Sequence, residues 1–581
     1  MKRFTGIAAM TVGLALSLLP LSFGEGLGRG AGVGDKGRGG TSGEGVGNLK
    51  NRWVWVMANL LPSESVGTLD TLFGRAQAAG YNGVVITDFK FAYDISAQEP
   101  YVSHAKAVAE SARKHGLRLI PAVCDEGYAS GFLFQDPNLA EALPVKDAAF
   151  TVHGDTATPD ADVTLANGDF EAATDNKFTG WSWQDDPGKI TFADTLVKHS
   201  GSQSVRMENI GGGNARIVQD VAVQPYHAYH LSVWIKTDNL DNPGAVRCLA
   251  LPGQTKQEGG LAYPSWGVDR TQDWKQYDAT FNSLGNTTVK IYLGIWGGKG
   301  GKIWWDGARL EPAGLMNVVR RGGAPLTVMG DDGTVYKEGK DFEKAADPNL
   351  WNNGNYDTWH TPPVLRIPAG SAIKDGAHLK VSYYHVVRVD AGSVAPCLSE
   401  PKLYTLIEAE IKRVDNLFHP DAFMMSQDEM RTMDWCDLCQ SRHLTPGQML
   451  ADNTRRCAAI IRKVHPGASI VIWSDMYDPS HNARDNYYLC NGTLEGSWQG
   501  LDKSMVVMNW NSDHQQQSLG FFGKQGNPQM LAGYYDGPVD AIKLWLGNAR
   551  KAGPLAGVMY TTWANNYNDL EAFAKAAWKT P

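Results

Sequence analysis

Three shortages in the sequence each exclude a class of partner or structure. Basic charge is not in excess: 54 Lys and Arg stand against 62 Asp and Glu, a net charge of −8. With an isoelectric point near 6.0, the chain lacks the basic stripe that follows a phosphate backbone, and nucleic acid is not an expected partner. Long apolar runs are missing beyond residue 24, so no stable membrane span is expected in the mature chain, because a span needs roughly 20 consecutive apolar residues. Cysteine is scarce and odd in number, seven in 581 residues, which in an exported chain leaves at least one thiol free or intermolecular. What the chain has instead is flat aromatic surface, 19 Trp and 21 Tyr. Such rings stack on the apolar faces of sugars, although any one of them can equally be core.

The N-terminus reads Met1-Lys2-Arg3 followed by an apolar run over residues 6–23, the charged and hydrophobic regions of a secretory signal. Residues 1–24 are therefore expected to be a signal peptide and the protein to be secreted or periplasmic, with a retained N-terminal anchor as the alternative. Residues 25–48 are dominated by Gly with Ser and charged residues, a composition that cannot bury enough apolar surface to order itself and reads as a flexible linker.

Strand and helix patterns then alternate. Trp53-Val54-Trp55-Val56-Met57, Gly83-Val84-Val85-Ile86-Thr87 and residues 117–123 are apolar without interruption and are separated by helical stretches at 69–79 and 104–115, the pattern of parallel strands covered on both faces. After residue 150 the alternation stops, and it resumes at Pro401 with strands at 422–426, 469–473, 504–510, 529–534 and 556–562. Three strands before the break and five after it make eight. The expected fold is α/β: a (β/α)8 TIM barrel built from residues 49–150 and 391–581, with the chemistry at the C-terminal ends of its strands. Residues 155–315 carry only short strands punctuated by Gly, Asn and Asp, which predicts an inserted β-sandwich, and residues 316–390 a β-rich extension.

Two resemblances add to this reading. Asn167-Gly168-Asp169-Phe170-Glu171, Gly201-Ser202-Gln203-Ser204-Val205 and Trp304-Trp305-Asp306-Gly307-Ala308-Arg309-Leu310 resemble carbohydrate-binding modules of families 4 and 9, which are jelly rolls. That likeness implies a structural calcium held by Glu171 and Asp306, and a purely structural sandwich is the competing reading. In the C-terminal half, Ala395-Pro396-Cys397-Leu398-Ser399-Glu400-Pro401, Asp428-Glu429, Ile472-Trp473-Ser474-Asp475-Met476, Tyr534-Tyr535-Asp536 and Tyr560-Thr561-Thr562-Trp563 follow one another as in glycoside hydrolase family 20. This resemblance implies a retaining β-N-acetylhexosaminidase-like enzyme that needs no cofactor, in which the acetamido oxygen of the substrate attacks the anomeric carbon. Glu429 is then the general acid and base, and Asp428 orients the amide and stabilises the cationic intermediate. Tyr534 bonds the acetamido oxygen and Asp536 a hydroxyl, Trp473, Trp510 and Trp563 wall the pocket, and Asp475 and Asp125 contribute at neighbouring strand ends. Neighbouring carboxyls suit this division of labour, because an ordinary retaining pair flanks the scissile bond at roughly 5 Å, and crowding helps keep one of them protonated.

The sequence departs from that family at several points. Met424-Met425-Ser426-Gln427 replaces the usual His-x-Gly-Gly, the first strand ends Val56-Met57-Ala58-Asn59 without an Arg, and Asn565 stands where a sugar-binding Glu is common. Two other readings of the chain therefore stand beside the first: a glycosidase of other specificity, pairing Glu429 with Asp475 or Asp125, and a glycan-binding protein without catalysis. Adjacent acids also favour helix N-termini. Cys436-x-x-Cys439 lacks the second Cys/His pair of a closed zinc site, and the expectation is thiols that pack or form a local disulfide.

Overall fold

A strand that is apolar on both faces must be covered on both sides, and a closed barrel ringed by helices does this for every strand at once. The computed structural model describes residues 49–351, 354–389 and 392–578; the expected signal peptide and linker lie outside the described residues. It forms that barrel from eight parallel strands: β1 (Asn51–Met57), β2 (Gly83–Thr87), β3 (Arg118–Val123), β4 (Ala422–Met425), β5 (Ser469–Trp473), β6 (Val506–Asn509), β7 (Gln529–Tyr534) and β8 (Leu555–Thr561). Neighbours pair in chain order, and Asn51 opposite Gly557 closes β8 onto β1.

The pleat divides each strand between two cores. Trp53 and Trp55 of β1 point inward with Ile120, Met424, Val471, Trp473 and Met559, whereas Val54 and Val56 point outward beneath the helices. Gly83 of β2 faces Trp53 across the first pair, and a Cβ there would lie 2.5 Å from the indole, so the large ring requires the small neighbour. The outer layer includes α1 (Glu64–Ala79), α2 (Tyr101–Lys114), α3 (Pro401–Phe418), α4 (Pro446–Val464), α5 (Gln515–Gln525), α6 (Ala541–Ala552) and α7 (Leu570–Ala577). α3 begins with Pro in its first turn and buries Leu403, Ile407, Ile411 and Val414 on one stripe, each worth about 1.5–3 kcal/mol. α4 starts with a capping box between Thr445 and Gln448. Among the described residues, no helix is long and apolar enough to cross a membrane.

The break in the barrel holds two nested insertions. The outer one is a six-stranded antiparallel sheet in which Leu143–His153 pairs with His378–His385 on one side and Thr156–Pro159 on the other. This corrects the barrel boundary expected at residue 150. Leu143–His153 alternates buried and exposed positions over much of its length, as a strand with one solvated face must, whereas barrel strands are buried on both. The inner insertion is a sandwich of a five-stranded sheet, including Ala228–Asp238 and Lys302–Pro312, over a four-stranded sheet, including Asn214–Ala222 and Thr288–Trp296. Residues 160–315 contain no α-helix.

The sandwich touches the barrel. Glu258 N donates to Asn486 O at 2.8 Å and the Glu258 carboxylate pairs with Arg484 at 2.8 Å. Gly259 lies against the ring of Tyr488, with no room for a side chain. Within the sandwich, Glu171 accepts from Ser202 N at 2.8 Å and Asp306 from His199 N at 2.7 Å and Ser200 N at 3.0 Å. Both carboxylates thus brace one loop through its backbone.

Candidate active site

The backbone turns sharply where β3 and β4 end. Cys124 and Gln427 take left-handed conformations with φ of 55° and 42°, and the ladder continues past both strands through Gln427 N to Cys124 O at 3.1 Å. Asp125 and Asp428 therefore emerge side by side. Their carboxyls interact directly, each perturbing the other's ionisation, and Gly127 N donates to Asp428 Oδ1 at 3.1 Å. A Cβ on Gly127 would approach that oxygen to 2.7 Å, so Gly is what lets the backbone amide reach it.

Two carboxyls in contact cannot both ionise easily. Burial pushes Asp125 well above the usual carboxylate range and the charge of Asp428 pushes it further. Asp428 is also raised by burial, while its contact with Asp125 and the Gly127 amide oppose this. Both carboxyls are thus pushed towards their neutral forms, and the pair resists carrying two charges at once.

Glu429 is partly open, its side chain 23% exposed, and Arg431 Nη2 lies 3.9 Å from its Oε1. Arg431 is itself fixed by donating to the Tyr128 hydroxyl at 2.9 Å and by lying over the Tyr488 ring. Asp475, at the end of β5, accepts from Trp510 Nε1 at 3.1 Å and from Asn482 Nδ2 at 3.2 Å. Burial, reinforced by the charge of Glu429, pushes the Asp475 carboxyl well above its ordinary value.

The aromatic residues assemble as a wall. Trp473 meets Trp55 edge-on at 5.3 Å, Trp563 meets Trp55 at the same distance, and Trp510 stacks on Tyr535 at 5.7 Å. Trp563 meets Tyr535 edge-on, with ring centroids 6.1 Å apart. A tyrosine hydroxyl can donate as well as accept, so Tyr535 brings a donor to this wall.

Tyr534 lies elsewhere than its expected role requires. Alternation from Met530 and Ala532, which face the interior, predicts an inward ring at 534. Instead Tyr534, Tyr535 and Asp536 are all left-handed, with φ of 76°, 51° and 55°, and this reverses the sides. Tyr534 points outward, donates to Asp569 Oδ2 at 2.8 Å and stacks on Tyr560, while Tyr535 enters the interior. Left-handed non-glycine residues cost of order 1–3 kcal/mol each, so three in succession mark a place where the surrounding structure imposes the geometry. Asp536 accepts from Thr562 Oγ1 at 2.6 Å and Trp563 N at 2.8 Å, which makes it the brace that presents Trp563. Of the other strand-end acids, Asp88 is buried in bonds to Leu60 N, Lys90 and the Tyr101 hydroxyl.

Behind the strand ends lies a second acidic layer. Glu126 accepts from Asn453 Nδ2 at 3.1 Å and Glu410 from Cys124 N at 3.1 Å; burial pushes them up to about 8 and about 7. A carboxyl raised on folding binds more protons in the native than in the unfolded chain, so stability falls as pH rises from the unfolded value towards the folded one. The melting temperature is expected to fall between pH 5 and pH 8.5, and Glu126→Gln to remove up to one proton from that slope, about 1.4 kcal/mol per pH unit. Thermal melts across that range check this; an unchanged slope in the variant would show that Glu126 is ionised in the fold.

Sequence reasoning missed Tyr535, Arg431 and the pairing of Asp125 with Asp428. Arg431 had a signal, a basic residue two positions after the acids.

Comparison with known proteins bears on the inserted region. Residues 163–302 match a family model described as a carbohydrate binding domain. Exochitinase 1 of Streptomyces olivaceoviridis is 32% identical over 176 residues, 29% of this chain and 26% of that protein, so the chain spans only about a quarter of this relative. Among solved structures, a rhamnosidase from Novosphingobium sp. PP1Y is 9% identical over 89% of this chain and 56% of its own, with a TM-score of 0.31. The CBM22-1 xylan-binding domain from Paenibacillus barcinonensis is 12% identical over 27% of this chain and 97% of its own, with a TM-score of 0.21. The sandwich that interrupts the barrel thus has the sequence pattern of a carbohydrate-binding domain.

Proposed function

We propose that this protein is a retaining, substrate-assisted glycoside hydrolase that acts on 2-acetamido sugars of a glycan. The observation that carries the reading is the placement of Asp428, held by the Gly127 amide and facing Asp125, directly beside the partly open Glu429. Glu429 donates its proton to the glycosidic oxygen as the acetamido oxygen closes on the anomeric carbon, then takes a proton from the water that reopens the ring. Asp428 accepts the amide N–H and faces the positive charge that develops. The proton of Tyr535 takes the acetamido oxygen, in the role that the resemblance gave to Tyr534. A carbohydrate-binding domain in the same chain, and the partial likeness to a protein named for chitin, a polymer of a 2-acetamido sugar, support the same substrate class.

The rival pairing of Glu429 with Asp475 is less well supported. A nucleophile must be ionised, and Asp475 is held towards its neutral form. The test is a panel of nitrophenyl glycosides with and without the 2-acetamido group. Hydrolysis confined to the acetamido sugars, with retained configuration, supports the proposal; equal rates on the parent glycosides would overturn it.

The same reading separates two neighbouring tyrosines. Tyr535→Phe is expected to lower kcat by about 10²–10³-fold, as loss of one well-placed donor does. Tyr534→Phe removes two outward hydrogen bonds, one to Asp569 and one from Asn566, each worth about 1 kcal/mol, and is expected to lower the melting temperature while leaving kcat in place. Steady-state kinetics and melts of both variants check the assignment, and the opposite order of effects would restore Tyr534.

A further inference from the structure

Three cysteines and a glutamate meet at the root of the insertion, away from the strand-end acids. Cys436 and Cys439 bracket the start of the short helix Asp437–Gln440 that follows β4. Cys397 lies on the chain returning to α3, and Glu141 on the chain leaving the barrel, just ahead of Leu143–His153. The sulfur of Cys397 is 3.5 Å from that of Cys436 and 3.4 Å from that of Cys439, and Cys439 Sγ is 3.7 Å from Glu141 Oε2. All four atoms fall within 4.8 Å of one another, and no member is more than 2% exposed.

The surroundings orient these groups. Glu141 Oε1 accepts from Trp435 N at 2.7 Å and Cys436 N at 3.2 Å, which turns Oε2 towards the sulfurs. Arg321 Nη1 donates to Cys436 Sγ at 3.3 Å and Nη2 lies 3.7 Å from Glu141 Oε2, a cation set against the rim of an anionic cluster. The cysteines are free thiols.

We propose that Glu141, Cys397, Cys436 and Cys439 form a closed four-ligand site for a structural zinc ion. Thiolate sulfur and carboxylate oxygen are both zinc ligands, and four buried donors with none left open is the coordination number of a structural rather than a catalytic site. Zinc–sulfur bonds of about 2.3 Å at tetrahedral angles separate sulfurs by about 3.8 Å, a few tenths more than observed here and far beyond the roughly 2.05 Å of a disulfide. Zinc binding exchanges the thiol protons for Zn–S bonds and oxidises nothing. Cys397 and Glu141 are the partners that the Cys436-x-x-Cys439 pair lacks in sequence. The ion ties the departing and returning ends of the insertion to the loop behind Asp428 and Glu429, closing a loop from residue 141 to residue 397. It therefore acts on the fold and positions the β4 loop without touching substrate.

The experiment is metal analysis of the full-length protein, purified without a metal-affinity step and dialysed against metal-free buffer. About one zinc per chain is expected, together with seven titratable thiols in denaturant with EDTA, the full cysteine count. Cobalt(II)-substituted protein should show thiolate-to-metal charge-transfer absorption. Cys439→Ser is expected to lose the zinc and to melt roughly 10 °C lower. Should that variant fail to fold, Glu141→Gln keeps all three thiols and is expected to release zinc to a chelator at least about tenfold faster. A zinc-free wild type overturns the proposal, whether seven thiols titrate, as in a hydrogen-bonded thiol cluster, or five, seven less the two of a disulfide.

Discussion

Glu429→Gln is expected to lower turnover of substrates with sugar or alkyl leaving groups by about 10²–10⁴-fold, the usual share of general acid–base assistance. The variant keeps the shape of the side chain and its place 3.9 Å from Arg431, but its amide cannot protonate a departing oxygen. An activated aryl leaving group needs that proton least, so its loss in the glycosylation step should be much smaller. The measurement is a leaving-group series on wild type and variant under steady-state conditions. The sensitivity to leaving-group pKa should steepen in the variant. A uniform loss across the series would mean that Glu429 acts in some other way, and the proton donor would then be sought at Asp475, whose carboxyl burial pushes towards its neutral form.

Asp428→Asn is expected to cost about 10²–10³-fold whatever the leaving group, because a preorganised charge is removed from the place where positive charge develops. The thiazoline mimic of the cyclised acetamido sugar should bind wild type tightly and this variant poorly, since transition-state complementarity resides in the anion. The pH profile offers a second readout. Protonating Asp428 has the same consequence as removing its charge, and burial raises its pKa. The acid limb of kcat/KM should therefore lie above the ordinary carboxylate value in wild type and disappear in Asp428→Asn. Inhibition by thiazoline that survives the substitution would falsify substrate assistance.

The two sets of predictions depend on different features of the fold. The Glu429 and Asp428 effects require the strand-end geometry and are read in rates; the zinc clip is read in metal content and melting temperature. Failure of either leaves the other standing.

Much of the architecture is legible in local pattern. Trp53-Val54-Trp55-Val56-Met57 and Gly83-Val84-Val85-Ile86-Thr87 show no polar face, which is enough to place them between two cores, and the eight such segments all became barrel strands. Leu143–His153 shows where the coarse reading slipped: its one-sided alternation marks a half-exposed sheet, yet its position next to the barrel segments assigned part of it to them. The place of Asp428-Glu429 at the end of β4 was legible because the apolar run before it stops there. The exchange of Tyr534 for Tyr535 was not, since period-two alternation holds only while φ stays extended, and no residue in Tyr534-Tyr535-Asp536 announces a left-handed turn.

The sequence by itself determined the strand count, the place of the break, the β-only character of what fills it and the strand ends from which the acids project, because hydrophobic period and composition are local properties. Only the tertiary structure decided which groups meet: Asp125 with Asp428, 303 positions apart, the ring of Trp563 with that of Tyr535, and Glu141 with Cys397 across the whole insertion. Those contacts fix a pair of opposed carboxyls, an aromatic wall and a cluster of thiols. Each depends on distances and burial that arise when the barrel closes, and neither quantity is a function of spacing along the chain.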